Sequence, residues 1–361
     1  MKKRPDLILL LLTGLLVLIG LIMVFSSSPA LALKLGDPFY YLKRHLFYIV
    51  LGLFGLHFAL NLNLHNLKRW SLSILGLAIV LLLLVYIPGM GKTLGGATRW
   101  LDLYVFSFQP SELVKFAMVV FLAAVLAKGK EEIGKFYSGL FPLLLLLGIV
   151  SAIIIKQPDL GTAISIFGTA LIMFFIAGAQ LWHLLLILSF SALGVLALSL
   201  TSQYRLKRLL GFINPWSDPL NIGFHIIQSL LAVGSGGWLG LGLGNSRQKF
   251  FYLPQQYADF IFAVLCEELG FIGATTLILI FLGFLVRGLR IARRAGDDFT
   301  FLLASGLVAM FAVQIFLNLM VVLGLIPTTG IPLPFISYGG TAMIVNLFAV
   351  GLLANISKQS K

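Results

Sequence analysis

Acidic side chains are scarce in this chain. Asp and Glu number 13 among 361 residues, against 26 Lys and Arg, and charged residues together make up 11%. Cysteine is nearly absent: Cys266 alone excludes an intrachain disulfide and any zinc site built on cysteines. The five histidines, at 45, 57, 65, 183 and 225, show no ligand spacing, so no metal is assigned to them. Long polar stretches are missing too. No soluble domain, low-complexity tract or clear internal repeat interrupts the chain, and one bundle over residues 1–361 is the simplest organisation. Apolar residues fill the space, at 59% with a mean hydropathy of +1.02, more than a water-soluble domain hides inside itself. These values describe an all-α, polytopic membrane protein. The net charge of +13 does not point to nucleic acid, because the basic residues lie between apolar runs rather than in one stripe interleaved with aromatics.

Ten apolar segments are long enough, or nearly so, to cross a bilayer: 7–24, 43–60, 70–87, 111–127, 139–155, 162–178, 181–200, 259–286, 301–326 and 339–355. Ten crossings put both termini on one side. With Lys2, Lys3 and Arg4 in the cytoplasm, that side also receives Lys68, Arg69, Lys128, Lys130, Lys135, the arginines at 287, 290, 293 and 294, Lys358 and Lys361, as the positive-inside rule requires. The basic start, the apolar run and Ala30-Leu31-Ala32 also fit a cleavable signal, but about 18 apolar residues suit a span better.

The outer side carries the longest stretch without a span, 201–258. Within it, 222–233 is apolar but too short to cross, and six glycines follow between Gly234 and Gly244. The pattern reads as a re-entrant or interfacial helix ending in a close backbone approach, or as a flexible glycine loop. The loop ends at Asp259, a lone acid at the lip of a long apolar helix. An acid there is costly and suggests chemistry: a carboxylate at the membrane boundary can take a proton from a hydroxyl delivered on a lipid. The bland alternative is an acid favoured by the helix N-terminus. On an ideal helix Glu267 and Glu268 turn about 80° and about 180° away from Asp259, so they read as buried, hydrogen-bonded structure rather than as partners in one reaction.

Several blocks resemble a known family. NSRQKFFYLPQQYADFIFAVLCEELGFIG and NLMVVLGLIPTTGIPLPFISYGGTA are similar to stretches of the SEDS proteins of bacterial shape, elongation, division and sporulation. In the second, Asn318, Gly324, Pro327, Gly330, Ser337, Tyr338, Gly339 and Gly340 fall at the family spacing. GGATRWLDL, FSFQPSELVKF, KQPDLGTA and FINPWSDPLNIGFHIIQSLLAVGSGG match as well, so the resemblance covers nearly the whole chain. INPWSDP, GNSRQKFFYLP and GLLANIS look more like the division and sporulation branch (FtsW, SpoVE) than the elongation branch (RodA). One departure stands out: where relatives commonly read PE-x-x-TDFIF, this chain has Gln255 and Ala258, so only the aspartate carries over.

The resemblance implies a peptidoglycan glycosyltransferase in the bacterial cytoplasmic membrane, polymerising lipid II and releasing undecaprenyl diphosphate at the outer face. It also implies a class B penicillin-binding transpeptidase as partner, alongside other membrane proteins of the division or elongation machinery. A diphosphate leaving group needs positive charge but no second carboxylic acid, so one base suffices, and Asp259 is the expected general base. Arg99, Lys115, Asp159 and the cluster from Arg205 to Arg208 fall at family positions, and Lys249 precedes the aspartate. The basic side chains among them are expected to face the diphosphate or lipid headgroups. Glu112 and Lys115, at i,i+3, form either a bundle latch or a cavity lining. Asp159 reads as a helix cap or a pocket acid, and Ser337 as a sugar or phosphate ligand or as support for the neighbouring loop. A divalent cation, Mg or Mn, shared with the diphosphate would leave little sequence trace, since its ligands are oxygens. A lipid II flippase fits the same scattered polar residues, and a silent scaffold explains the spans but not the lone acid.

Overall fold

The computed structural model describes residues 4–94, 97–102, 107–129, 132–248 and 256–359. A helix stands at each of the ten expected places. The first three are α1 (Leu7–Ser27), α2 (Tyr40–Leu60) and α3 (Ser71–Leu84), followed after an extracytoplasmic loop by α4 (Pro110–Leu126), α5 (Phe141–Lys156), α6 (Leu160–Ile176) and α7 (Leu181–Leu200). The long loop contains α8 (Gln203–Ile213) and α9 (Phe224–Ser235), and the chain ends with α10 (Ile261–Arg293), α11 (Asp298–Val322) and α12 (Gly340–Gln359). Among the described residues six helices are long and apolar enough to cross a membrane by themselves, and α3 and α6 are shorter apolar helices. In lipid a helix satisfies its own backbone, so uninterrupted Leu, Ile, Val and Phe runs have no competing structure.

The ends of the helices follow local chemistry. Asp6 caps α1 through a bond from the Leu9 N–H at 2.9 Å, Pro110 occupies the first turn of α4, and Asp297 with Thr300 forms a capping box at α11. Asp6 also pairs with Arg287 at 2.7 Å, its N–H donates to Ser357, and Lys358 donates to the Leu60 carbonyl at 3.0 Å. Both termini therefore meet at one end, among the basic residues that the charge rule assigns to the cytoplasm.

The core lies around α11 and α12, whose apolar windows are 72% and 83% buried, whereas α7 is 17% buried and turns most of its side chains outward. Exposed Trp182, Phe190 and Leu193 on α7 suit contact with lipid.

Two features depart from expectation. A three-stranded antiparallel sheet, β1 (Gly91–Leu94), β2 (Ala97–Asp102) and β3 (Ser107–Phe108), occupies the loop between α3 and α4 of a chain expected to be purely helical. The second is a break in α10 at Gly270, where φ is 67° and ψ is −166°. The glycine-rich segment after α9 enters this break. Leu241 and Gly242 donate to the carbonyls of Glu267 and Glu268, while Phe271 and Ile272 donate to those of Gly237 and Trp238, at 2.8–3.2 Å. The loop thus replaces helical hydrogen bonds that the break removes, which backbone at membrane depth requires. A Cβ at Gly270 would lie 2.3 Å from the Gly240 nitrogen, and one at Gly240 2.2 Å from the Glu268 oxygen. The expected close backbone approach is therefore present, with the short helix α9 before it.

Candidate active site

Asp259 sits in a turn just before α10, at the end of the molecule opposite the termini, and is partly exposed. The main chain around it is fixed one carbonyl at a time. Tyr338 N–H donates to the Tyr257 oxygen at 2.9 Å, Ser337 Oγ to Ala258 at 2.6 Å, and Asn318 Nδ2 to Asp259 at 2.9 Å. Asn318 also donates to the Ile331 oxygen at 2.8 Å, and the same Ser337 hydroxyl accepts from Leu333 N–H. The residues of the terminal motif hold the turn. Ser337 is buried, and its hydroxyl makes both of these bonds.

The segment 328–331 is the hub on which the other elements converge. Arg208, on α8, donates to the Thr328 oxygen at 2.8 Å; a Cβ at Gly161 on α6 would lie 2.5 Å from the Thr329 oxygen; and a Cβ at Gly330 would lie 3.5 Å from Asp259 Oδ2. Arg99, on β2, donates to the carbonyls of Gln157 and Pro158 and stands 4.0 Å from the Asp159 carboxylate. Asp159 caps α6 through Thr162 N–H at 3.2 Å and accepts from Gln109 at 3.3 Å. It is a cap that also serves as the acid of this cluster.

The electrostatics follow. Burial pushes the Asp259 carboxyl up to about 6, Arg208 and Arg99 pull it back, and Asp159 adds to the rise. Among the described residues no hydrogen bond reaches the Asp259 carboxylate oxygens, which leaves them available to a ligand. His225 stacks on Phe260 with centroids 6.1 Å apart, and burial together with Arg208 lowers its pKa.

Other residues expected at the site lie elsewhere or serve other ends. Arg205 donates to the carbonyls of Leu198 and Ile155, finishing the C-terminal ends of α7 and α5 rather than facing Asp259. Lys115 and Glu112 pair at 2.9 Å and are 2% and 3% exposed, a sealed ion pair in this conformation. Lys249 lies outside the described residues. Glu267 accepts from Ser246 Oγ and from the N–H groups of Arg247 and Gln248, and Glu268 accepts from Ser26 Oγ at 2.6 Å and from Ser246 N–H. Both are buried structure, as expected. The helical wheel turns both away from Asp259, and the glycine-rich loop docked at the Gly270 break just beyond them brings Ser246 to both.

Sequence reading left Asn318, Gln109 and His225 without roles; the available signal was a polar side chain within or beside an apolar helix. No group of three or more His, Cys, Asp or Glu side chains is gathered among the described residues.

Residues 6–361 match the family model described as cell cycle protein, FtsW/RodA/SpoVE. The chain belongs to this family. It is 45% identical to the stage V sporulation protein E of Bacillus subtilis over all of this chain and 99% of that protein. It is 43% identical to a probable peptidoglycan glycosyltransferase FtsW of Geobacter metallireducens, covering 99% of this chain and 96% of that one. Among solved structures it is similar to a chain of a peptidoglycan synthase complex that coordinates polymerization and crosslinking, with a TM-score of 0.82, 30% identity, and 98% and 97% of the two chains covered. The rod shape determining protein RodA of Thermus thermophilus gives a TM-score of 0.72 at 27% identity, with 99% and 97% covered. The likeness to sporulation and division proteins agrees with the branch indicated by INPWSDP and GLLANIS, and the family places the chain in the bacterial inner membrane.

Proposed function

We propose that this FtsW/RodA/SpoVE-family chain is a peptidoglycan glycosyltransferase that polymerises lipid II at the outer face of the membrane, with Asp259 as the general base. The observation that carries this reading is the treatment of Asp259. The carbonyls of Tyr257, Ala258 and Asp259 are each anchored by a separate donor, yet the Asp259 carboxylate is left without a hydrogen bond from the described residues, raised toward neutrality by burial and pulled back by the charges of Arg208 and Arg99. A base poised near the working pH is the form that best accepts a proton in a transition state.

In the proposed step the acceptor sugar hydroxyl gives its proton to Asp259 while its oxygen attacks the anomeric carbon of the donor. The bond from that carbon to the diphosphate breaks, and its electron pair leaves with undecaprenyl diphosphate. A single displacement inverts the centre, so an α-linked donor gives a β-linked strand. Arg208 and Arg99, whose charges reach Asp259, would supply the cations the departing diphosphate needs, and a guanidinium can meet two phosphate oxygens at once. Asp159 keeps Arg99 placed. A divalent cation arriving with the diphosphate would share that charge, held by phosphate oxygens beside Asp259. Glu112 and Lys115 join the substrate-binding residues only if the outer end of α4 opens. A class B penicillin-binding transpeptidase is the proposed partner, supported by the likeness to a synthase complex.

The test uses purified protein with its transpeptidase partner and labelled lipid II. Wild type forms glycan strands, and Asp259→Asn forms none while staying folded. Undiminished polymer from the variant would remove Asp259 from the chemistry. Labelled lipid crossing vesicle bilayers without polymer would favour a flippase instead.

A further inference from the structure

Three tyrosines from distant parts of the chain meet beside the proposed base. Tyr41 comes from the first turn of α2, Tyr257 from the Asp259 turn, and Tyr338 from the motif before α12. Ring centroids lie 4.4 Å apart for Tyr41 and Tyr257, 5.3 Å for Tyr41 and Tyr338, and 5.5 Å for Tyr257 and Tyr338. All three residues are partly exposed, which suits a wall rather than a sealed core. Below them His45 is fully buried against Tyr338, and neither of its ring nitrogens has a hydrogen-bond partner among the described residues. Such an orphaned donor and acceptor would be satisfied by a water or hydroxyl reaching between the rings.

We propose that Tyr41, Tyr257 and Tyr338 form a stacking wall for the terminal N-acetylhexosamine of the acceptor, which sets its hydroxyl against Asp259. This rests on the polymerase reading and assigns the acceptor a place. The two reacting partners differ in charge near the bond that forms. The donor brings a diphosphate and requires cations, which Arg208 and Arg99, whose charges act on Asp259, supply. The acceptor brings a neutral pyranose ring, whose polarised C–H groups suit the electron-rich face of an aromatic ring.

The geometry links the wall to the base. Tyr257 is two residues from Asp259, and Tyr338 N–H holds the Tyr257 carbonyl at 2.9 Å, so ring and carboxylate belong to one fixed turn. Burial, Tyr41 and Asp259 all act to keep the Tyr257 phenol protonated, which prevents it from competing as a base. The Tyr257 and Tyr41 hydroxyls are 3.5 Å apart and offer a paired polar edge for sugar hydroxyls.

The test is direct binding of tetra-N-acetylchitotetraose to the full-length protein in nanodiscs, read by saturation-transfer NMR, together with elongation of a short lipid-linked glycan primer. Both use the monodisperse fraction from size exclusion, so a variant that folds poorly is compared only as folded protein. Tyr257→Leu and Tyr41→Leu retain apolar volume but lose the ring. Each is expected to weaken probe binding by about fivefold, the size of one lost aromatic contact, and to raise the primer KM by a similar factor while kcat changes less. Tyr257→Phe restores binding. Leucine variants that bind the probe and extend the primer like wild type overturn the wall, whatever Asp259 does. Asp259→Asn should bind the probe yet extend nothing; extension by that variant defeats the base and leaves the binding result to judge the wall on its own.

Discussion

Two acidic regions lie within ten residues of one another and are treated in opposite ways. At the lip of α10 the Asp259 carboxylate accepts no hydrogen bond from the described residues and is raised to about 6, while its own main chain is pinned. About two helical turns further along α10, Glu267 and Glu268 are buried and take donors from Ser246, Arg247, Gln248 and Ser26. The glutamates are spent on structure: they hold the glycine loop against the broken helix. Asp259 is supported by structure that leaves its oxygens unspent. An acid at a membrane boundary therefore declares its role through who satisfies it, not through its presence.

The largest effect should come from breaking the unsatisfied side of this comparison. Asp259→Asn is expected to lower polymerisation by about 10²–10⁴-fold, the usual worth of a positioned base, with no loss of melting temperature. The pH dependence sharpens the same point. A base must be ionised, so activity should rise through about pH 6 and fall about tenfold per unit below it. Stability runs the other way. Because the folded carboxyl titrates above its ordinary value of 3.8, the stability that its protonated form contributes is complete at low pH and is lost as pH rises through about 6. Asp259→Asn should remove that contribution to the slope of melting temperature against pH.

The satisfied side should respond in stability. Gly270→Ala places a Cβ 2.3 Å from the Gly240 nitrogen at a left-handed φ, and is expected to destabilise by about 2–4 kcal/mol. Glu267→Gln leaves one acceptor where three donors meet, and should cost about 1–3 kcal/mol. Thermal unfolding in detergent measures both. For either variant the folded fraction should keep the wild-type pH limb; a displaced limb would mean that the glutamate pair acts on Asp259 directly.

How much of this was legible in the sequence depended on what each residue type fixes. Spans were legible because lipid permits few alternatives to a helix, and Asp259 because an acid at that boundary is costly. The sheet carrying Arg99 was not, because strands of two to six residues leave no periodicity to read. Nor was the hub at 328–331: Arg208, Asn318 and Gly161 approach it through backbone carbonyls, which every residue possesses. The break at Gly270 was hidden inside an apolar run, and with it the meeting of Glu267 and Glu268 at Ser246.

The smallest effects should separate the basic residues of α8, which the sequence presents as one cluster. Arg208 touches the Thr328 carbonyl and acts on Asp259, Arg205 finishes two helices, and Lys207 is exposed. Arg208→Ala removes a cation that holds the Asp259 carboxyl down, so the acidic limb should move to higher pH and the rate at neutral pH should fall by about tenfold. Arg205→Ala should lower melting temperature more than rate, since two helix ends lose their donor. Lys207→Ala has only solvent or headgroups to give up, and its rate should change by less than about twofold. Parallel pH–rate profiles of the three variants decide the assignment: equal losses would mean that the cluster acts as a diffuse positive field, whereas a limb displaced in Arg208→Ala alone ties one guanidinium to one carboxylate.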